Sequence, residues 1–495
     1  MIIAHDLGTT GDKAILMDDG GRVIASSTVR YGTDFGAGGR AEQDPRAWWQ
    51  AVCAATRTLL TSAGHPPERV AGVSFSGQMM GAVLVDRDGE PVRPAIIWAD
   101  TRSKAQTDRL VERIGMDGAY RITGHRLNPT YSLEKVMWVR DNEPEAFART
   151  RRVLLAKDYI AFLLTGELVT DPSDASSTNA YDQQAGAWSA EILDAAAVPA
   201  SLLPDIVPST TVVGTVTPDA ARQTGLLAGT PVVLGGGDGP MAALGAGRVD
   251  ADCGGYAYLG SSSWVSYAAD APLHDPQMRS MTFNHVIPGR FVPTATMQAG
   301  GASVEWITGV LAPGEPTRYD RLLDAAAQVQ ASEEGLYFLP YLLGERSPYW
   351  NPRARAVFAG LARHHGPEHL VRAVVEGVAF NLYSGLQAFL SNGAVIDRVD
   401  VIGGGAGSPL ILKVLADTWG VPVRRGQLVE EATSVGAAIV GGVGVGTFPG
   451  FDVARELASY QEAALPDAGT HEQRERGHEL FVDAYRRLEP WFDGL

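Results

Sequence analysis

Two α/β domains of similar plan are what this 495-residue sequence predicts. Three observations carry that prediction. Short apolar runs with β-branched residues alternate with glycine turns and helical patterns along the whole chain. A strand–turn–strand stretch at the N-terminus, "MIIAHDLGTTGDKAILMDDGG", has a counterpart in "GGYAYLGSSSWVSYAAD" at 254–270, with "LGSSS" in the place of "LGTT". The length also exceeds what a single hydrophobic core usually fills.

Taken in order, "MIIAHDL", "AILMD" and "RVIASSTV" read as strands joined by tight turns, the second turn being "DDGG" at 18–21. "DPRAWWQAVCAATRTLLTSAG" reads as a helix, with Asp44 at its N-cap, Pro45 in its first turn and Gly64 at its stop. "VAGVSFSG" (70–77) is a buried strand, and "GAVLVDRDGEPV" suggests a further hairpin. Residues 100–196 are mostly helical in pattern. A second cycle begins near 231, where "PVVLGGGDGPMAALGAG" gives strand, glycine turn and helix. "VDVIGGGAGSPLILKVLADTWGVPV" repeats that order and adds a strand, and an amphipathic helix with a solvated face ends the chain. The domain boundary is expected at 247/248, giving units 1–247 and 248–495.

Composition narrows the function classes. The chain is 45% hydrophobic and 20% charged, with 57 Gly and 29 Pro, as expected of a globular protein with ample core. Its net charge of −16 disfavours nucleic acid and anionic membrane surfaces as partners. Two distant cysteines, Cys53 and Cys253, form neither a disulfide framework nor a zinc-ligand pattern. No basic-then-apolar leader and no run of about 18 apolar residues stands out, so the expectation is a soluble, cytoplasmic protein without a membrane span. The longest apolar tract, "TSVGAAIVGGVGVG" (433–446), reads as a buried helix and turn.

Several turns carry residues suited to phosphate chemistry. Gly8, Thr9, Thr10 and Gly11 at a hairpin tip can aim backbone N–H groups and hydroxyls at an anion. Asp6 beside them can hold a Mg²⁺ through water, and Lys13, one of only five lysines, can meet a terminal phosphate. A polar hairpin tip with no ligand explains the same residues. The turn Gly260–Ser262 offers the same use from the other domain, so that two tips grip one polyphosphate. Neither turn is a P-loop, because the chain has no Gly-Lys dipeptide.

"GGGDGP" places Asp238 after a buried strand and among glycines. It suits a general base for a hydroxyl attacking a γ-phosphoryl group, or equally a turn residue capping the next helix. "VIGGGAGSPL" lacks the acidic residue that a dinucleotide fingerprint needs about 20 positions on; Val423, Arg424 and Arg425 stand there. Its glycines allow either an adenine ring against the backbone or tight strand–helix packing. "SGQMMG", "WADTRS" and "LPYLLGERSP" mix polar, aromatic and charged residues at strand ends and loops, where either pocket lining or structural packing fits.

These motifs, in this order, resemble the FGGY family of carbohydrate kinases, its xylulokinase branch most closely, over residues 2–490. The carrying stretches also include "LAKDYIAFLLTGELVTDPSDAS", "LPYLLGERSPYWNPRARAVFAGL" and "EGVAFNL". The resemblance implies two actin-like (ribonuclease H-like) domains flanking a catalytic cleft, with ATP and Mg²⁺ as cofactors. It implies transfer of the ATP γ-phosphate to a hydroxyl of a ketopentose such as D-xylulose, giving D-xylulose 5-phosphate. Asp238 then matches the general base and, with Asp6, the metal side. Gly8, Thr9, Thr10, Lys13, Gly260, Ser261 and Ser262 match the phosphate motifs, and Gly404, Gly405 and Ser408 the adenosine site. Gln78, Met79, Met80, Trp98, Asp100 and Gly239 match the sugar site. A homodimer is implied as well.

Two departures concern the sugar. Xylulokinases usually read Gln-Met-His-Gly where this chain has Gln78, Met79, Met80 and Gly81, and Asn where it has Gly239. Both changes remove hydrogen-bonding groups, and Gly after the base is also usual in gluconate kinases. The alternatives are therefore the same chemistry on gluconate, another ketose or a polyol, and a catalytically weak sugar-binding regulator.

Overall fold

A computed structural model describes residues 1–62, 64, 66–426 and 431–495. The first sheet is built on β1 (Ile2–Leu7), β2 (Gly11–Met17) and β3 (Val23–Arg30), an antiparallel meander. β4 (Gly72–Gly77) lies parallel to β1 with Asp6 opposite Ser76, and β5 (Val212–Thr215) and β6 (Pro231–Val233) extend that edge. The order is β5-β6-β4-β1-β2-β3, with Gly236 and Gly237 paired alongside the end of β4. α1 (Pro45–Ser62) covers one face, burying Trp48, Val52, Ala55 and Leu59.

The second sheet repeats the plan. β7 (Gly255–Leu259) and β8 (Ser263–Tyr267) form the hairpin, and β9 (Met281–Asn284) and β10 (Phe291–Met297) continue it antiparallel. On the other side β11 (Val399–Ile402) and β12 (Val423–Gly426) run parallel to β7, and β13 (Tyr460–Ala464) closes the edge. The order β9-β10-β8-β7-β11-β12-β13 puts each tight hairpin beside a parallel strand. The two α/β halves are of the actin-like, ribonuclease H-like kind. Both hairpin tips stand at the C-terminal ends of β1 and β7, where open α/β sheets bind ligands.

One expected element takes a different form, one helix is more apolar than the sequence suggested, and the apolar tract forms the buried helix expected of it. In "GAVLVDRDGEPV" the expected hairpin is short, with Val85 bridging Pro91 and the Val92 N–H donating to the Leu84 carbonyl (2.9 Å), and Val83–Val85 pairs instead with Arg152–Leu154. Pro91 and Pro94 lack the N–H groups a continuous ladder needs. The helix Pro367–Leu390 is long and apolar enough to cross a bilayer by composition, but it is mostly buried as the core helix of the second half. The helix Ala432–Gly444, containing the apolar tract, crosses back to pack on the first sheet, its Val435 and Ile439 sharing a core with Ile2, Ala4 and Ile15. It runs against the helix Asp238–Gly245 at very close range. A Cβ at Gly436 would sit 2.1 Å from the Met241 carbonyl oxygen, so only glycine allows that approach.

Candidate active site

Two cavities meet at the β7–β8 tip. The smaller, of about 250 Å³, is lined by Asp6, Gly8, Met79, Met80, Trp98, Asp238 and Gly239 from the first half of the chain. Tyr256, Ser262, Trp264, Met281, Phe283 and Arg346 face them from the second. The larger, of about 410 Å³, is lined by Gly260, Ser261, Gly404, Gly405, Tyr319 and Ile411 among others. Ser263 borders both cavities, so the second hairpin is the wall between them.

Asp6 and Asp238 set the electrostatics of the smaller cavity. Asp6 is in β1, opposite Lys13 on β2. Burial pushes its carboxyl up to about 6, and its Oδ1 has no hydrogen-bond partner among the described residues. Asp238 opens its helix, and its Oδ1 accepts the Gly239 N–H at 2.8 Å. Burial, with the charge of Asp6 added, pushes it up to about 7. Two partly buried carboxylates, Asp6 raising Asp238 and itself raised by burial and the charge of Asp12, suit a site that receives a cation or a proton. Asp6, with its orphaned oxygen, and Asp238 are therefore fit to hold a divalent metal, oxygen donors being what Mg²⁺ takes.

The first hairpin tip is held from behind. The Gly8 N–H donates to the Asp6 carbonyl (3.1 Å) and the Gly11 carbonyl (3.0 Å), and the Tyr31 hydroxyl donates to the Gly8 carbonyl. Trp98 Nε1 donates to Thr9 Oγ1 at 2.8 Å, which ties a wall of the smaller cavity to this tip. The second tip is held by the N–H groups of Gly301 and Ala302, which donate to the carbonyls of Gly260 (2.8 Å) and Ser261 (3.2 Å).

Met79, Met80, Trp98 and Gly239 line the smaller cavity, as their motifs suggested. Met80 has a left-handed backbone (φ 63°). Its N–H donates to Ser177 Oγ (3.2 Å), and its carbonyl accepts from the buried Lys135 ammonium at 2.7 Å. Three expected site residues lie elsewhere. Gln78 donates to Gln43 Oε1 (2.8 Å), and Gln43 Nε2 donates to the Thr9 carbonyl (2.6 Å), so Gln78 braces the first tip and does not line the cavity. The buried Asp100 carboxylate is held by the Ala41 N–H (2.7 Å) and by Arg102 Nε (3.0 and 2.9 Å), which makes it a scaffold group. Ser408 Oγ caps the helix Pro409–Trp419 through the Ile411 N–H at 3.4 Å, next to the glycines of the larger cavity but outside its lining.

The sequence reading missed the wall contributed by the second sheet. Tyr256 and Trp264 alternate inward across the second hairpin, with Trp264 Nε1 donating to the Tyr256 hydroxyl at 3.1 Å. Arg346, inside the "GERSP" segment, lies over the Trp98 ring at 5.2 Å and makes no ion pair among the described residues.

Comparison with known proteins bears on the same surfaces. The model of the FGGY family of carbohydrate kinases, N-terminal domain, matches residues 1–245, and that of the C-terminal domain matches residues 255–445. This chain belongs to the FGGY family of carbohydrate kinases. It is 33% identical to the xylulose kinase of Escherichia coli, covering 99% of each chain. It is 30% identical to the gluconokinase of Bacillus subtilis, covering 100% of this chain and 95% of that one. The solved structure of ligand-bound xylulose kinase from Lactobacillus acidophilus superposes with a TM-score of 0.94 at 26% identity, over 100% of this chain and 99% of the other. As an FGGY kinase the chain is an ATP-dependent carbohydrate kinase whose substrates are a sugar and ATP.

Proposed function

We propose that this FGGY kinase phosphorylates a ketopentose, with D-xylulose as the first candidate, to give D-xylulose 5-phosphate in the cytoplasm. The units 1–247 and 248–495 form its two lobes. The observation that carries the reading is Asp238, a partly buried carboxylate that shares the smaller cavity with Asp6, one hairpin away from a second cavity large enough for a nucleoside. The sugar occupies the Asp238 cavity and the nucleotide the other. The phosphates lie across the wall, between the tips Gly8–Thr10 and Gly260–Ser262, with Lys13 on the terminal phosphate.

Asp238 takes the proton of the attacking hydroxyl. That oxygen forms its bond to the γ-phosphorus as the bond to the β-bridging oxygen breaks and ADP leaves. A base raised to about 7 is matched to neutral pH, where about half of it is ionised and that fraction is basic enough to accept the proton. Asp6 and Asp238 would hold a Mg²⁺, which would supply charge neutralisation for the transferred phosphoryl group. Met79, Met80, Met281 and Phe283 exclude water, the competing nucleophile.

One observation favours a second reading. Arg346 brings to the sugar cavity a guanidinium with no ion pair among the described residues, where a carboxylate would pair with it, so a sugar acid such as gluconate is the alternative. ADP release with MgATP is measured on D-xylulose, L-xylulose, D-ribulose, gluconate, glycerol and xylitol. D-xylulose giving the highest kcat/KM supports the first reading. Gluconate ahead, with a preference lost in Arg346→Gln, supports the second, and silence on all six overturns both.

A further inference from the structure

The segment Asp171–Thr178, which the proposed reaction does not use directly, reaches three walls of the sugar cavity with three serine hydroxyls of similar design. Ser173 Oγ donates to Asp171 Oδ2 (2.6 Å) and accepts the N–H of Gly237 (2.9 Å), the residue before Asp238. Ser177 Oγ donates to the Asp174 carbonyl (2.8 Å) and accepts the N–H of Met80 (3.2 Å). Ser176 Oγ donates to the Ser173 carbonyl (2.7 Å) and accepts the N–H of Asn284 (3.0 Å), at the end of β9 in the second sheet. In each case the proton stays within the segment and the lone pair holds a backbone N–H of a different wall.

The segment is itself anchored. Lys157, fully buried, reaches Asp158 (2.5 Å), Asp171 (3.0 Å) and Asp174 (3.1 Å), and Ser209 Oγ adds a bond to Asp171 Oδ2 at 2.7 Å. At the Gly237 and Met80 N–H groups nothing would replace a lost acceptor cheaply, since Ser173, Ser177, Gly237 and Met80 are all buried. Space is also closed at the catalytic turn: a Cβ on Gly236 would meet Ser173 Oγ at 2.6 Å.

We propose that Ser173, Ser176 and Ser177 are positioning residues that fix the Asp238 turn, the Met79–Met80 turn and β9 relative to one another. Ser173 governs the alignment of the base, and Ser177 governs the fit of the sugar. Ser176 ties both to the second half of the chain. This rests on the reading of Asp238 as the base. An error of about 1 Å in such alignment costs on the order of 10²-fold in rate.

The test measures kcat, both KM values and the thermal midpoint for wild type, Asp238→Asn, Ser173→Ala, Ser173→Cys and Ser177→Ala. Each is assayed by ADP release with MgATP and, separately, D-xylulose and gluconate. The expected result is a split. Ser173→Ala and Ser173→Cys lower kcat by about 10- to 100-fold with both KM values within about twofold. Ser177→Ala raises the KM for the sugar by about 5- to 10-fold with the KM for MgATP unchanged and kcat nearly kept. Lowered thermal midpoints without that split, or failure of both Ser173 variants to fold, would assign these serines to the fold alone and overturn the proposal. A wild type silent on both sugars, or an active Asp238→Asn, overturns instead the reading on which it rests.

Discussion

Replacing Asp238 by Asn should make the apoprotein more stable at alkaline pH while removing its activity. The carboxyl is raised from 3.8 to about 7, chiefly by burial and then by the charge of Asp6. A group raised on folding favours the folded state in its protonated form. That contribution is complete below about pH 4 and is lost as pH rises through about 7. Going from 3.8 to about 7, at about 1.4 kcal/mol for each tenfold change in proton affinity, puts the cost of holding the ionised form at pH 8 near 4 kcal/mol. Asn has nearly the same shape and no charge, so Asp238→Asn escapes that cost. Urea denaturation without nucleotide and with chelator should show the variant more stable by up to about 4 kcal/mol at pH 8, and by less than about 1 kcal/mol at pH 4. Its kcat should fall at least about 10²-fold. Equal stabilities at pH 8, or a gap of the same size at both pH values, would refute the argument that Asp238 is a buried, uncompensated carboxylate.

Four further outcomes are expected. The acidic limb of kcat/KM should centre near pH 7, and Asp6→Asn should move the limb of its residual activity to lower pH, because the Asp6 charge raises Asp238; a limb that stays in place would remove that coupling. Met80→His should fold normally, since His tolerates the left-handed backbone at this position better than most residues, and should raise kcat/KM for D-xylulose if a hydrogen bond to the sugar is what the cavity lacks. In Gly239→Asn the new Cβ meets only Met79 Sδ at 3.7 Å, so its thermal midpoint should stay close to wild type. Gly436→Ala should cost about 1–3 kcal/mol despite alanine's better helix propensity, because its Cβ would lie 2.1 Å from the Met241 carbonyl oxygen; calorimetry decides between the two effects.

Much of the architecture was legible in the sequence because local chemistry dictates it. "LGTTG" and "LGSSS" could only be tight tips between apolar strands, and "GGGDGP" a glycine turn before a helix, whatever surrounds them. The roles of Gln78, Asp100 and Ser408 were not legible. Each has a side chain that serves a cavity or a neighbouring backbone group equally well, and only the positions of Gln43, Ala41 and Ile411 decide. The crossing of residues 432–444 to the first sheet was also hidden, since an apolar helix carries no address for the face it covers.

The sequence by itself therefore determined two glycine-tipped hairpins in two α/β halves, a carboxylate beside each of two turns, and a family. The tertiary structure alone decided that Asp6 and Asp238 share one cavity, that Arg346 and the aromatic residues of the second sheet close it, and that three serines from one segment hold its walls. The physical reason is range. Turn and helix signals act over a few residues, whereas burial, raised carboxyls and shared hydrogen bonds arise only between groups far apart in the chain, once folding has brought them together.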